Sequence, residues 1–180
     1  HKETPGFIIA TKNLYDDGLL REDYYKKVME NADLIESVID YDKDYTFDYF
    51  ALTTLIRAYL LKFDNKTIER PQDLWMRVTL TVTGNEFNLD KIKETYKSLS
   101  TGMYTHATPT LFNSGLKMQQ LSSCFLIGME DDSIEGIFNT IKDCALISKT
   151  AGGIGMHAHN IRGSGLSLIH ISEPTRHDQI

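Results

Sequence analysis

The chain has 180 residues, of which 41% are hydrophobic and 24% are charged, and its formal net charge is −6. This is the composition of a globular protein with room for one domain and part of another. The acidic balance argues against nonspecific nucleic-acid binding, which needs clustered Lys and Arg. With only two cysteines, a disulfide-stabilised secreted scaffold is disfavoured and a reducing, cytoplasmic setting is expected. The apolar stretches are too short to cross a membrane, so no membrane partner is expected.

Apolar residues at helical spacing predict a helical N-terminal part. One helix is expected over residues 22–39 and a second over residues 47–61, with Phe50 on its apolar side. Pro71 suits the first turn of a third helix. Residues 78–83 alternate like a strand and are rich in β-branched side chains, but we favour continuation of the helix.

The next segment is predicted to be a short helix followed by irregular chain. Asn88 or Asp90 can cap a helix that runs from Lys91 to about Ser100. The residues from Thr108 to Gly115 contain Pro, Asn, Ser and Gly, and we expect an irregular loop there.

The pattern changes after Lys117. A buried strand is expected over residues 121–127, and Asp132-Ser133 resembles a capped helix start. That helix ends at Gly152-Gly153, and a second strand follows over residues 154–161. Strand, helix and strand in this order predict a βαβ unit with parallel strands and a right-handed crossover.

Several motifs have an ordinary interpretation. Residues 153–158 fit the pattern GxGxxA, but these glycines follow a helix and open a strand, which is the reverse of a dinucleotide-binding fingerprint. His157 and His159 would share one face of a strand, yet a metal needs more ligands, so no metal site is predicted. Taken alone, Cys124 would be an inert buried cysteine, although two serines precede it; Cys144 is interpreted as a packing residue.

Four runs of residues together resemble the large subunit of ribonucleotide reductases. They are residues 105–113 (THATPTLFN), 120–125 (QLSSCF), 131–137 (DDSIEGI) and 145–155 (ALISKTAGGIG), in the order and at close to the spacing of that family. The resemblance covers about residues 1–165 and is nearest to class I enzymes.

The resemblance implies a fold and a chemistry. The fold is α+β leading into α/β: a helical N-terminal domain at 1–117, then at 118–165 the first βαβ unit of an incomplete ten-stranded α/β barrel. The family reduces ribonucleoside diphosphates by thiyl-radical chemistry with a redox cysteine pair, and Cys124 matches one member of that pair. Thr108, Ser123, Gly152 and Gly153 match positions that bind the substrate.

The resemblance also implies regulation and partners. Asp132, Ser133, Ile134, Lys149 and Arg162 match the site of a Mg-bound deoxynucleotide or ATP effector, which lies at the interface of a homodimer of large subunits. A separate metal-containing small subunit would supply the radical, and thioredoxin or glutaredoxin would supply electrons. No cofactor is expected to bind directly to these 180 residues.

Some expectations concern the ends of the sequence. Residues 166–180 resemble a translated sequencing adapter and are predicted to be a non-native tail. The chain is expected to be a piece of a longer subunit. Because this piece lacks the radical cysteine, it is expected to be inactive alone. A piece of a cobalamin-dependent reductase, a non-catalytic nucleotide-binding regulatory module and a helical interaction domain remain as alternatives.

Overall fold

The computed structural model describes residues 4–149 and 152–163, and it divides the chain into two compact units at residues 121 and 122. The first unit is helical, and the second contains a pair of parallel strands joined by a helix. Within the described residues, no helix combines the length and the apolar character needed to cross a membrane. The domain boundary expected at residue 118 stays a prediction.

Three helices open the first unit: α1 (Phe7–Asp16), α2 (Glu22–Glu30) and α3 (Ala32–Val38). The prediction of one continuous helix over 22–39 was wrong, because the chain breaks at Asn31. The Asn31 backbone leaves the helical region at φ −125°, and its side-chain Nδ2 donates to the Lys27 carbonyl oxygen at 2.9 Å. Asparagine competes in this way with the hydrogen bonds of a helix interior, and the periodicity of apolar residues does not report it.

The helix expected over residues 47–61 is also interrupted. A 3₁₀ segment at Tyr41–Thr46 precedes α4 (Tyr49–Thr54), and a five-residue π-helical turn follows at Leu55–Tyr59. Every residue of α4 is at least partly exposed. Phe50, assigned to the apolar side of the helix, is 80% exposed. A short hairpin of β1 (Lys62–Phe63) and β2 (Lys66–Thr67) comes next.

The core of the first unit is built around α5 (Pro71–Val82). The helix interpretation was confirmed, and the strand-like alternation of residues 78–83 was misleading. Positions 71–80 are all buried, so side chains on every face of this part of the helix contact other protein atoms. Because no face is exposed to solvent here, the alternation of polar and apolar residues does not indicate a strand.

One buried side chain of α5 is charged. Arg77 donates from Nε and Nη2 to the two carboxylate oxygens of Glu69, at 2.5 and 3.0 Å, and the two side chains are only 2% and 3% exposed. Arg77 Nη1 also donates to the Ser114 carbonyl oxygen at 2.8 Å, and Glu69 accepts from the Leu61 amide at 2.9 Å. This bidentate pair therefore connects the hairpin region, α5 and the chain after residue 113.

Two further helices complete the first unit. In α6 (Leu89–Ser100) the cap is Asn88, whose side-chain oxygen accepts from the Lys91 amide at 3.0 Å. The irregular loop expected from residue 108 was wrong in part, because α7 occupies Thr108–Asn113. Pro109 is tolerated there because it lies in the first helical turn, where its missing amide has no partner to lose.

The second unit is a βαβ unit, as predicted. It consists of β3 (Cys124–Gly128), α8 (Ile134–Lys149) and β4 (Gly153–His157). The strands pair in parallel, with Cys124 opposite Gly153 and Gly128 opposite His157. Both strands are shorter than predicted, and the expectation of a buried strand was wrong, because exposed and partly buried residues alternate along β3.

A second buried carboxylate makes the stability of the first unit dependent on pH. Asp73 accepts from the Tyr41 hydroxyl and from the Arg70 amide, each at 2.8 Å. Burial raises the pKa of the Asp73 carboxyl to about 7. The unfolded-state value is about 3.9, so between these pH values the folded chain holds a proton that the unfolded chain has lost.

We predict that the free energy of unfolding falls by a few kcal/mol as the pH rises from 5 to 8. The protonated Asp73 carboxyl contributes its full stabilisation below about pH 4, and this contribution is lost as the pH rises through about 7. Asp73→Asn should flatten this dependence, which urea unfolding of the whole chain at both pH values will measure. Burial also raises the pKa of Asp44, which is left intact in every variant. Asp33→Asn, at an exposed site on α3, is the control and should keep the full slope; an equal slope in Asp73→Asn would contradict the prediction.

Candidate functional site

Parallel pairing in the second unit places a thiol beside a glycine. Cys124 is the first residue of β3, and its register partner Gly153 is the first residue of β4. A Cβ atom on Gly153 would lie 3.8 Å from Cys124 Sγ and 3.4 Å from the Ser123 carbonyl oxygen. Cys124 is exposed and forms no disulfide, so it is not the inert buried cysteine that its strand pattern taken alone suggests.

Packing requires a glycine at position 152, and the amides of Gly152 and Gly153 both have partners. The Gly153 amide donates to the Ser123 carbonyl oxygen at 2.8 Å, and the Gly152 amide donates to the Ile147 carbonyl oxygen at 3.3 Å. A Cβ on Gly152 would lie 2.6 Å from Ile147 Cγ2 and 2.9 Å from the Phe125 ring, so a larger residue does not fit. Within this unit, the side chains of Ser123 and Cys124 are therefore the exposed chemical groups of the site.

Thr108, which matches a substrate-binding position, belongs to the first unit. It is exposed and is the first residue of α7. The Tyr59 hydroxyl lies 3.4 Å from Thr108 Oγ1. Sequence analysis did not single out Tyr59, because an aromatic residue in an apolar helical pattern is ordinarily a core residue.

A second cluster lies at the start of α8. The Arg162 guanidinium pairs with the Asp132 carboxylate through Nε, and the Arg162 amide donates to Asp132 Oδ2 at 3.1 Å. Arg162 Nη2 also donates to the Asp132 carbonyl oxygen at 3.0 Å. Both side chains are mostly buried, so the pair is a fixed part of the unit and joins residues separated by thirty positions.

Ser133 caps α8, as the sequence predicted. Its Oγ accepts from the Gly136 amide at 3.0 Å, which satisfies one of the free amides of the first turn. The Ser133 amide donates to Asp131 Oδ1 at 3.0 Å, and the Ser133 hydroxyl contacts the same oxygen. Sequence analysis missed Asp131, although an Asp two residues before a helix-capping Ser is a recognisable turn signal.

The structure gathers Asp132, Ser133, Ile134 and Arg162 but leaves Lys149 apart. Ile134 and Lys149 are the two ends of α8, which are roughly 22 Å apart at 1.5 Å per residue. Lys149 therefore cannot join the same contact cluster within one chain. Ile134 is exposed, so it is available for contact with another molecule.

The two histidines expected on one face are close together. Their rings stack with centroids 4.1 Å apart, although β4 ends at His157 and His159 lies beyond it. Across the described part of the chain, no group of three or more His, Cys, Asp or Glu side chains is arranged to hold a metal ion.

Family models match both units. A model described as "Ribonucleotide reductase, all-alpha domain" matches residues 45–119, and one described as "Ribonucleotide reductase, barrel domain" matches residues 122–177. The first match falls in the helical unit, and the second falls in the unit with the parallel strands.

Curated proteins match most of the chain. It is 50% identical over 147 residues to "Ribonucleoside-diphosphate reductase large chain 2" of Saccharomyces cerevisiae, a match that covers 82% of the chain and 17% of that protein. The large subunit of Arabidopsis thaliana is 49% identical and the large chain of Schizosaccharomyces pombe is 50% identical, each over 147 residues, 82% of the chain and 18% of the relative. The chain thus spans less than a fifth of the length of these relatives.

We predict that Gly136→Ala disrupts the start of α8. The new Cβ would lie 2.1 Å from Asp131 Oδ1 and 2.9 Å from the Asp131 amide nitrogen, so Asp131 must move and its contacts to Ser133 must break. Hydrogen exchange at the amides of residues 133 and 136 should become roughly threefold to tenfold faster, which is the effect of losing one hydrogen bond.

Gly128→Ala is the matched control, since a Cβ there meets no atom of the described residues within 4 Å. Exchange at Ser133 and Gly136 should be unchanged in this variant. Equal exchange rates in the two variants would show that Asp131 does not organise the cap.

Proposed function

Because this chain belongs to the ribonucleotide reductase large-subunit family, we propose that it forms part of the site at which ribonucleoside diphosphates are reduced. The observation that carries the proposal is the exposed Cys124 thiol, held in parallel register with Gly153 and next to Ser123. A thiol in this position can face a bound ribose, and the absence of a side chain at position 153 leaves room on one side of the sulfur.

In the proposed reaction, Cys124 is one member of a redox pair. A thiyl radical on another cysteine removes the 3′ hydrogen of the ribose, which activates the 2′ position, and the hydrogen is returned later. The pair supplies two electrons and two protons, the 2′ hydroxyl leaves as water, and the two sulfurs join as a disulfide. Ser123 and Thr108 provide hydroxyl donors to the substrate. Gly152 and Gly153 allow the backbone to approach the substrate closely.

This chemistry needs three thiols, and the chain has two cysteines. Cys144 lies on α8 rather than beside Cys124 on the strand pair, and it is assigned no role in the reaction. We therefore propose that the 180 residues have no reductase activity alone. The radical subunit, the thioredoxin or glutaredoxin reductant and the remaining thiols belong to the whole enzyme, in keeping with the small share of the relatives that the chain spans.

The ten-stranded barrel is also a proposal, and the exposure of the second unit supports it. Leu126 on β3 is 94% exposed, Phe138 on α8 is 66% exposed and Met156 on β4 is 54% exposed. Apolar side chains on both layers of a βαβ unit are expected when further strands and helices cover them.

The reductase proposal predicts that Cys124→Ser abolishes turnover. A hybrid large subunit would carry this chain's residues over the 147-residue segment matched in the Schizosaccharomyces pombe large chain, with a radical-generating small subunit. Deoxyribonucleoside diphosphate formation should fall by at least about two orders of magnitude, since oxygen cannot store the electrons as a disulfide.

Cys144→Ser is the matched control in the same hybrid and should retain turnover. If Cys124→Ser turns over as fast as Cys144→Ser, Cys124 has no redox role and the proposal fails.

For the cluster at the start of α8, we propose an effector site. Asp132, Ser133 and Ile134 would contact the base and ribose of a Mg-bound nucleoside triphosphate, and Arg162 would hold Asp132 in place. Lys149, at the far end of α8, would act on the effector of the second subunit in a homodimer, because one chain does not bring it to its own cluster.

Asp132→Asn in the hybrid should weaken effector binding by about 10- to 100-fold, because it removes a charge-assisted contact and breaks the pair with Arg162. Equilibrium binding of a deoxynucleoside triphosphate measures this change. Asp143→Asn, on an exposed part of α8, is the control; equal dissociation constants for the two variants argue against an effector site here.

A further inference from the structure

Tyr59 contacts both ends of one face of α7. Its hydroxyl is 3.4 Å from Thr108 Oγ1, and its ring stacks on Phe112 with centroids 4.9 Å apart and an interplanar angle of 21°. Thr108 and Phe112 are four residues apart, so they lie one above the other on the same side of the helix. Tyr59 therefore covers the side of α7 that carries the Thr108 hydroxyl.

The π-helical turn explains why Tyr59 can reach this face. The turn at Leu55–Tyr59 is closed by the Leu60 amide, which donates to the Leu55 carbonyl oxygen at 2.9 Å. Each residue of an α-helix advances by about 100°, so without the extra residue in this turn the Tyr59 side chain would point in another direction. The buried Leu60 fixes the end of the turn in the core.

We propose that Tyr59 is a positioning residue that directs the Thr108 hydroxyl towards the substrate. This inference rests on the proposed function, in which Thr108 contacts a ribonucleoside diphosphate. A hydroxyl has one proton to donate, and phosphate oxygens only accept. Either hydroxyl can be the donor in this contact, and in the proposed arrangement Tyr59 donates to Thr108 Oγ1, which leaves the Thr108 proton for the substrate and restricts its direction. The stacking on Phe112 holds the Tyr59 ring in place for this purpose.

A double-mutant cycle in the hybrid large subunit tests the assignment. Tyr59→Phe removes the hydroxyl and keeps the ring stack, and Thr108→Val removes the partner hydroxyl with little change in shape. Each single variant should raise KM for the nucleoside diphosphate roughly threefold to tenfold, the effect of one hydrogen bond, with kcat nearly unchanged. The double variant should have the KM of Thr108→Val, since Tyr59 acts only through Thr108.

Two controls separate positioning from general stability. Tyr49→Phe removes a hydroxyl from a tyrosine that is 86% exposed and should leave KM unchanged. Thr108→Ser keeps the hydroxyl and should restore a KM near that of the parent hybrid, together with its sensitivity to Tyr59→Phe.

The outcomes identify which idea fails. If Thr108→Val raises KM while Tyr59→Phe does not, or if the two effects add, the positioning role of Tyr59 is overturned and the substrate role of Thr108 stands. If Thr108→Val leaves KM unchanged, the substrate role of Thr108 is wrong and the inference falls with it. Loss of turnover in Cys124→Ser is measured separately and does not depend on either result.

Discussion

The helical unit depends on a charge that is buried in its centre. The Arg77 guanidinium is buried, and leaving it unpaired in the core would cost several kcal/mol. The structure solves this by placing both oxygens of Glu69 against it and by directing a third donor to the Ser114 carbonyl. Since Glu69 also accepts from the Leu61 amide, the residues on both sides of the hairpin, α5 and the chain at Ser114 must meet at one point. Such a pair adds little net stability compared with apolar packing, but it permits few other arrangements of the hairpin region, α5 and the residues after α7.

The site in the second unit depends on a different constraint, which is strand register. Cys124 and Gly153 are opposite each other because β3 and β4 pair in parallel, and a shift of one residue would turn the thiol to the other face of the sheet. Gly152 helps to fix that register, because the Ile147 and Phe125 side chains occupy the space where its Cβ would be. The packing around Gly152 thus explains the glycine at this position without any ligand. The exposed side chains of Ser123 and Cys124 lie at the same end of the strand pair.

Each of the two clusters of the second unit combines residues that precede α8 with residues that follow it. β3 runs from Cys124 towards Asp131 and Asp132, and β4 runs in the same direction from Gly153 towards Arg162, so the parallel pair lies between the thiol end and the start of α8. Asp132 follows the end of β3 by four residues, and Arg162 follows the end of β4 by five. The proposed effector site and the proposed substrate site are therefore connected by the same strand pair.

The sequence by itself determined the classes of element and the family. Periodicity indicated a helical first part, Pro71 and Ser133 marked helix starts, and the order of strand, helix and strand required a parallel pair. It could not locate the breaks at Asn31 and in the π-helical turn, because the hydrogen bonds from Asn31 Nδ2 to the Lys27 carbonyl oxygen and from the Leu60 amide to the Leu55 carbonyl oxygen are not reported by the spacing of apolar residues. Nor could it pair Asp132 with Arg162 or Tyr59 with Thr108, since side chains that are 30 and 49 positions apart meet only when tertiary packing folds the chain back on itself. Local propensity acts over a few residues, whereas these contacts depend on where whole elements are placed.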